Sequence, residues 1–228
     1  MFRIVLGFLA AGALSFAASA KDAKIGGVSL NLPAPPGYCE LDRAQASDAK
    51  GITFIESLVG RHGNRLIEMS AECEQLKEWR SDKRKVLDNY SQYQTIIAYE
   101  NNAIPARPDD IVRSTCAAMR ERGETIAARI QAEAKALTNL VDNLKLEEAR
   151  SLGVLDEEAG VCYAGVLQKL SSDATKGKTL LGVYATLFVR GKLVFYYLYA
   201  PYVSADTVTD LLAQQKANVV RLKAANKN

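Results

Sequence analysis

Apolar and polar side chains alternate along both ends of the chain and recur at helical spacing through its middle. Val28-Ser29-Leu30-Asn31-Leu32 alternates as a half-buried strand should, and Pro33, Pro35, Pro36 and Gly37 end it. Ile52, Ile55, Leu58 and Val59 predict a helix, with Ser47 or Asp48 expected as its cap and Gly60 and Gly63 closing it. Alternation returns from Arg65 to Cys73, with Ile67, Met69, Ala71 and Cys73 assigned to one face. Leu76, Trp79, Lys83, Val86 and Tyr90 then predict a short amphipathic segment, and residues 94–100 a strand closed by Pro105 and Pro108.

A long helical stripe follows from Asp109 to Leu144 through Met119, Ile126, Ile130 and Leu137, with Gly123 as the point where it kinks or divides. Four strand-like runs occupy residues 149–155, 161–170, 179–190 and 193–200. After Pro201 a helix is expected to start at a Ser204 cap, with a stripe of Val208, Leu211, Leu212, Gln215, Val219 and Leu222. Neither an internal repeat nor a Pro/Ser-rich linker divides the chain. The expectation is one α+β domain, a mostly antiparallel sheet with a C-terminal β-meander, packed against a long central helix and a C-terminal helix.

The last hairpin determines which side chains share a face. With Gly191-Lys192 as a type II′ loop, Val183, Ala185, Leu187 and Val189 lie with Val194, Tyr196, Leu198 and Ala200. That aliphatic face should carry the C-terminal helix. The other face holds Tyr184, Thr186, Phe188 and Arg190 with Leu193, Phe195, Tyr197 and Tyr199. Its five aromatics either pack under the central helix or line a groove for a peptide, glycan or small apolar ligand.

Residues 1–20 change the address. A short basic start, an apolar run from Ile4 to Phe16 and an Ala18-Ser19-Ala20 end match a secretory signal peptide cleaved after Ala20, leaving residues 21–228 as the domain. No later stretch is apolar enough to anchor the cleaved product in a membrane. The expected location is periplasmic or secreted. Cys39, Cys73, Cys116 and Cys162, an even set without a Cys-x-x-Cys pair, suit disulfides in an oxidising compartment. Three pairings are possible. Cys39 with Cys73 and Cys116 with Cys162 is expected, because the helix between the first two returns the chain to the same end of the sheet.

Composition narrows the chemistry. The formal charge is +3 from 29 basic and 26 acidic residues, which argues against nucleic acid as a partner. The single histidine, His62, lies in a glycine-rich turn and reads as a solvated loop residue. No G-x-S-x-G elbow or phosphate-binding glycine loop occurs, and no metal site or cofactor is called for; the acidic run 109–110 reads as a helix start and 156–158 as a solvated turn, while adjacency in sequence sets Glu147 and Glu148 apart on a helix or strand. Lys83-Arg84-Lys85 beside Trp79 could meet an anionic surface, although a solvated helix face is the usual role of such a run.

The fragments PPGYCELD (35–42) and GNRLIEMSAECEQLKEWR (63–80) resemble uncharacterised exported bacterial proteins, and the order of elements resembles the PsbP-like α+β scaffold, most of all from Gly191 to Asn228. The resemblance implies a compartment and a fold; it carries no catalytic residue. The expectation is therefore an exported, non-catalytic binding or interaction module of the cell envelope, meeting an envelope protein, peptide or glycan through Tyr184, Phe188, Phe195, Tyr197, Tyr199 and Trp79. The competing expectation is an envelope hydrolase acting through carboxylates that sequence does not reveal.

Overall fold

The computed structural model describes residues 20–102, 104, 106–135, 145–171 and 177–227. Nearly all of the expected signal peptide, Pro105, residues 136–144 of the expected central helix and most of the turn before residue 178 lie outside them. The strands are β1 (Ala20–Ile25), β2 (Val28–Pro33), β3 (Tyr38–Glu40), β4 (Asn64–Glu72), β5 (Tyr90–Ile96), β6 (Lys145–Glu158), β7 (Val161–Ser171), β8 (Thr179–Val189) and β9 (Lys192–Pro201). The helices are α1 (Ala46–Gly60), α2 (Cys73–Arg80), α3 (Ile97–Glu100), α4 (Pro108–Lys135) and α5 (Ala205–Ala225).

β1 and β2 pair as a separate ribbon, and the other strands form one sheet in the order β3-β4-β5-β9-β8-β7-β6. Every pairing among the described residues is antiparallel. Helices cover both faces of this sheet. On one, Ala185, Leu187, Val194 and Tyr196 form a core with Val219 and Leu222 of α5 and with Ile25, Leu30 and Leu32 of the ribbon. Gln215, the polar break in the α5 stripe, is fully buried and donates from Nε2 to the carbonyl of Tyr196. Ser204 stands at the N-cap of α5 as expected, and its amide donates to Thr207 Oγ1 at 3.2 Å.

The other face carries α1 over β4 and α4 over β6 and β7. α1 contributes Ile52, Ile55 and Val59 to a core with Leu66, Met69 and Tyr199. α4 packs on β6 and β7 at the far edge. It is continuous through Gly123, which does not divide it. Glycine is needed there for close approach, because a Cβ would lie 2.4 Å from Ser151 Oγ of β6.

Several sequence expectations are corrected. Neither Ser47 nor Asp48 caps α1; Gln45 is the N-cap and makes no side-chain bond. Asp48 is instead fully buried in the first turn, where Arg80 of α2 donates to it from Nη2 at 2.6 Å and from Nε at 3.0 Å, and the Asp42 amide at 2.9 Å. Ile67 falls at an irregularity in the β4–β5 register, so Leu66 joins Met69 and Ala71 while Ile67 packs against the opposite core. Cys73 has left the strand and begins α2, which ends at Arg80; Tyr90 already belongs to β5. The strand expected over 94–100 is displaced, because β5 ends at Ile96 and α3 takes the next four residues. β1, now paired with β2 around Gly26-Gly27, was not foreseen.

The meander hairpin turns at Arg190-Gly191, since Val189 faces Lys192. Both turn residues have positive φ, +48° and +76°, as a type I′ turn requires. Arg190 therefore accepts a conformation that glycine normally takes, and leaves the aromatic face for the turn. The loop lies one residue earlier than expected, which shifts cross-strand partners by two positions and so keeps each side chain on its assigned face.

The disulfides are Cys39–Cys73 and Cys116–Cys162, with Cα separations of 4.9 and 5.7 Å. Adjacency of β3 and β4 makes the first, because Cys39 pairs across from Ala71 two residues before Cys73. The second ties α4 to β7. Two disulfides fit an oxidising compartment, and among the described residues no helix is long and apolar enough to cross a membrane.

Asp48 supplies one test of this frame. Asp48→Ala leaves the Arg80 guanidinium and the Asp42 amide without their carboxylate, and should destabilise the fold by about 2–3 kcal/mol. That is the low end for a broken buried pair, because Arg80 is partly solvated. Urea unfolding of the variant would show it as a lower midpoint at unchanged slope.

Candidate functional site

Between α1 and α4, over the sheet, lies a cavity of about 350 Å³. This is the lower range of small-ligand sites. Its floor is Tyr90, Gln92 and Gln94 of β5, Tyr197 and Tyr199 of β9, and Tyr184 of β8. Alternation within each strand points these residues to one side, and the register brings them together: Tyr90 faces Tyr199, and Tyr184 faces Tyr197. The rings stack accordingly, with centroids 4.4 Å apart for Tyr90–Tyr199, 5.0 Å for Tyr184–Tyr197 and 6.1 Å for Tyr197–Tyr199. Such pairs contribute about 0.5–1.5 kcal/mol each beyond burial. Tyr199 also lies over Gly182, where an added Cβ would sit 2.6 Å from its ring.

The walls are aliphatic. Ile55, Leu58 and Val59 project from α1, and Met119, Ile126 and Ile130 from α4. Trp79 of α2 closes the side next to Gly51, where an added Cβ would sit 3.9 Å from the indole. Three polar atoms in this lining, His62 Nε2, Trp79 Nε1 and Gln92 Oε1, are buried without a hydrogen-bond partner. Gln92 Nε2 donates to the Tyr199 hydroxyl at 3.4 Å, and Asn64 Nδ2 to Gln94 Oε1 at 3.1 Å. Burial drives the phenol pKa values of Tyr90, Tyr184, Tyr197 and Tyr199 upward, so the floor stays neutral and protonated.

His62 is not the solvated loop residue expected. Only 14 % of its side chain is exposed, and its Nε2 lies 3.1 Å from Glu133 Oε2 of α4, off the line of a hydrogen bond. Its Nδ1 is 3.5 Å from Arg129 Nη2. Burial lowers the imidazole pKa, Glu133 raises it and Arg129 lowers it again, in that order of size. A neutral ring with its proton on Nε2 suits both neighbours. The cluster joins the C-terminal end of α1 to α4 beside the cavity.

Of the six residues singled out on the aromatic face and at Trp79, four line the cavity: Trp79, Tyr184, Tyr197 and Tyr199. Phe188 instead packs against Cys116, Cys162 and Val112, and Phe195 lies farther along β9 opposite Thr186 and Gln94. Gly51, Gln92, Gln94 and His62 were missed as cavity residues. The alternation Tyr90-Gln92-Gln94 was the available signal, hidden by starting that strand too late. The acidic runs do not gather at the cavity: Asp109 and Asp110 occupy the first turn of α4, while Asp156 and Glu158 pair with Lys216 of α5. Among the described residues no three His, Cys, Asp or Glu side chains are grouped as metal ligands would be.

Fold and cavity together define an α+β protein with a helix-walled, tyrosine-floored pocket. No family model and no curated protein matches the chain. Among solved structures, the Ran-binding protein Mog1p of Saccharomyces cerevisiae is similar over 92 % of this chain and 93 % of its own, at 10 % identity and a TM-score of 0.32. A likeness at that level transfers neither fold nor function.

Proposed function

We propose that the protein is an exported, non-catalytic binding module of the cell envelope, built on a PsbP-like scaffold, that holds a small apolar ligand between α1 and α4. The cavity carries this reading: an aliphatic-walled space over a neutral tyrosine floor supplies burial and a few hydrogen bonds, the ordinary means of ligand retention. The export part rests on the signal-like N-terminus and the two disulfides.

Trp79 is the only tryptophan of the chain and lies in the lining, so its fluorescence reports directly on occupancy. Neutral N-phenylnaphthylamine should bind saturably at one site and quench it. Gly51→Leu places a side chain beside Trp79 inside the cavity and should abolish that binding. The same change should stabilise α1 by about 0.5–1 kcal/mol through helix propensity, so the loss is not one of folding. Absence of saturable binding, or equal binding by the filled variant, would refute the proposal.

A further inference from the structure

We infer that the occupant is a single-chain amphiphile with a carboxylate head, its tail over the tyrosine floor and its head at Lys85. This deepens the binding reading above and rests on it. The shape comes first. Gly51 and Val59 both line the space, which places it along roughly 12 Å of α1 at about 1.5 Å per residue. A space of that length and of about 350 Å³ admits one extended alkyl chain.

The chemistry of the walls favours alkyl carbon over other narrow occupants. An extended peptide needs backbone partners along its length, but the floor is the face of a sheet whose central strands are paired on both sides. A glycan would want free ring faces or several polar groups. Here each floor tyrosine has a face against another tyrosine, and Ile, Leu, Val and Met dominate the walls beside Phe54 and Trp79, with the amides of Gln92 and Gln94 confined to the floor. Alkyl carbon is what such walls reward, at about 0.8 kcal/mol per buried methylene.

Charge selects the head. The lining contains two cations, Lys85 and Arg129, and no aspartate or glutamate. Arg129 is engaged beside His62 and Glu133. Lys85 stands at the Trp79 end, about half exposed, and pairs with Asp82 at 2.5 Å. Asp82 is itself 84 % exposed, so that pair is worth little and exchanges readily for a carboxylate that arrives with a buried tail. Lys50, next to Gly51, adds positive charge near Asp82, whereas Arg84 is held by Glu78 and Asp88. A single ammonium suits one carboxylate; a phosphate head would be better served by a guanidinium fork. The basic run beside Trp79 thereby acquires a role that the sequence alone left open.

The experiment is competition against bound N-phenylnaphthylamine, read by Trp79 emission, with decanoate and with decanol as its uncharged counterpart. Wild-type protein should bind decanoate about five- to tenfold more tightly than decanol, and added salt should erode that difference. Lys85→Gln should reduce decanoate to the level of decanol while leaving decanol and the probe unchanged. Gly51→Leu should release both. Equal binding of the two ligands by wild type, or no effect of Lys85→Gln on decanoate, would overturn the carboxylate-head inference while leaving the cavity a binding site. Failure of the neutral probe to bind wild type would instead remove the parent reading.

Discussion

Raising the pH above about 10 is expected to unfold the protein cooperatively, with most phenolate absorbance appearing at the unfolding transition rather than before it. Burial raises the pKa of Tyr93, Tyr163, Tyr196, Tyr199 and Tyr90, and raises Tyr38 to about 12 with help from Glu72. A folded pKa above the unfolded value of about 10 means that the native state favours the protonated phenol. The stabilisation is fully present below pH 10 and is lost as the pH climbs through the raised values. Each such group costs up to about 1.4 kcal/mol per pH unit in that window. Five deeply buried rings together approach about 7 kcal/mol per unit, comparable with the whole stability of an ordinary domain. Phenolate absorbance and circular dichroism followed on one titration should therefore change together. Gradual ionisation of these tyrosines with the fold intact would contradict the burial described above.

Loss of the Cys116–Cys162 bridge should be comparably severe. The bond spans 46 residues of sequence, for which chain entropy gives about 4 kcal/mol, and both cysteines are buried beneath Val112 and Phe188. Its position adds a functional consequence, because it fastens the N-terminal half of α4, the helix that supplies Met119, Ile126 and Ile130 to the cavity wall. A Cys116→Ala/Cys162→Ala variant should unfold at markedly lower denaturant and bind N-phenylnaphthylamine weakly even where it remains folded. The Cys39→Ala/Cys73→Ala variant should lose similar stability yet keep its α4 wall and its probe affinity. Identical binding losses in the two variants would show that α4 is not held in this way.

Much of the framework was legible because it obeys local rules. The apolar, strand-like runs of β7, β8 and β9, the turn residues between them and the Ser204 start of α5 each have a short-range physical cause, and each appears where expected within a few residues. The faces of the last hairpin came out correctly even though its loop did not. A two-residue slip preserves side-chain parity, and only a one-residue slip would have exchanged the faces. Where expectation failed, longer-range packing prevailed: Asp48 caps nothing because Arg80 claims its carboxylate, and the irregularity at Ile67 moves one side chain to the other core.

By itself the sequence determined that this is an α+β chain with an even set of cysteines and a tyrosine-rich hairpin face. Those properties follow from residue type and short-range spacing. Only the tertiary structure decided that four of the six chosen residues meet across a cavity, that His62 is tucked against Glu133, and that Gly51 leaves room beside Trp79. α1 and β9 are more than 130 residues apart along the chain. Whether the space between a helix and a sheet is filled or open depends on how far apart packing holds them, and no local pattern encodes that distance.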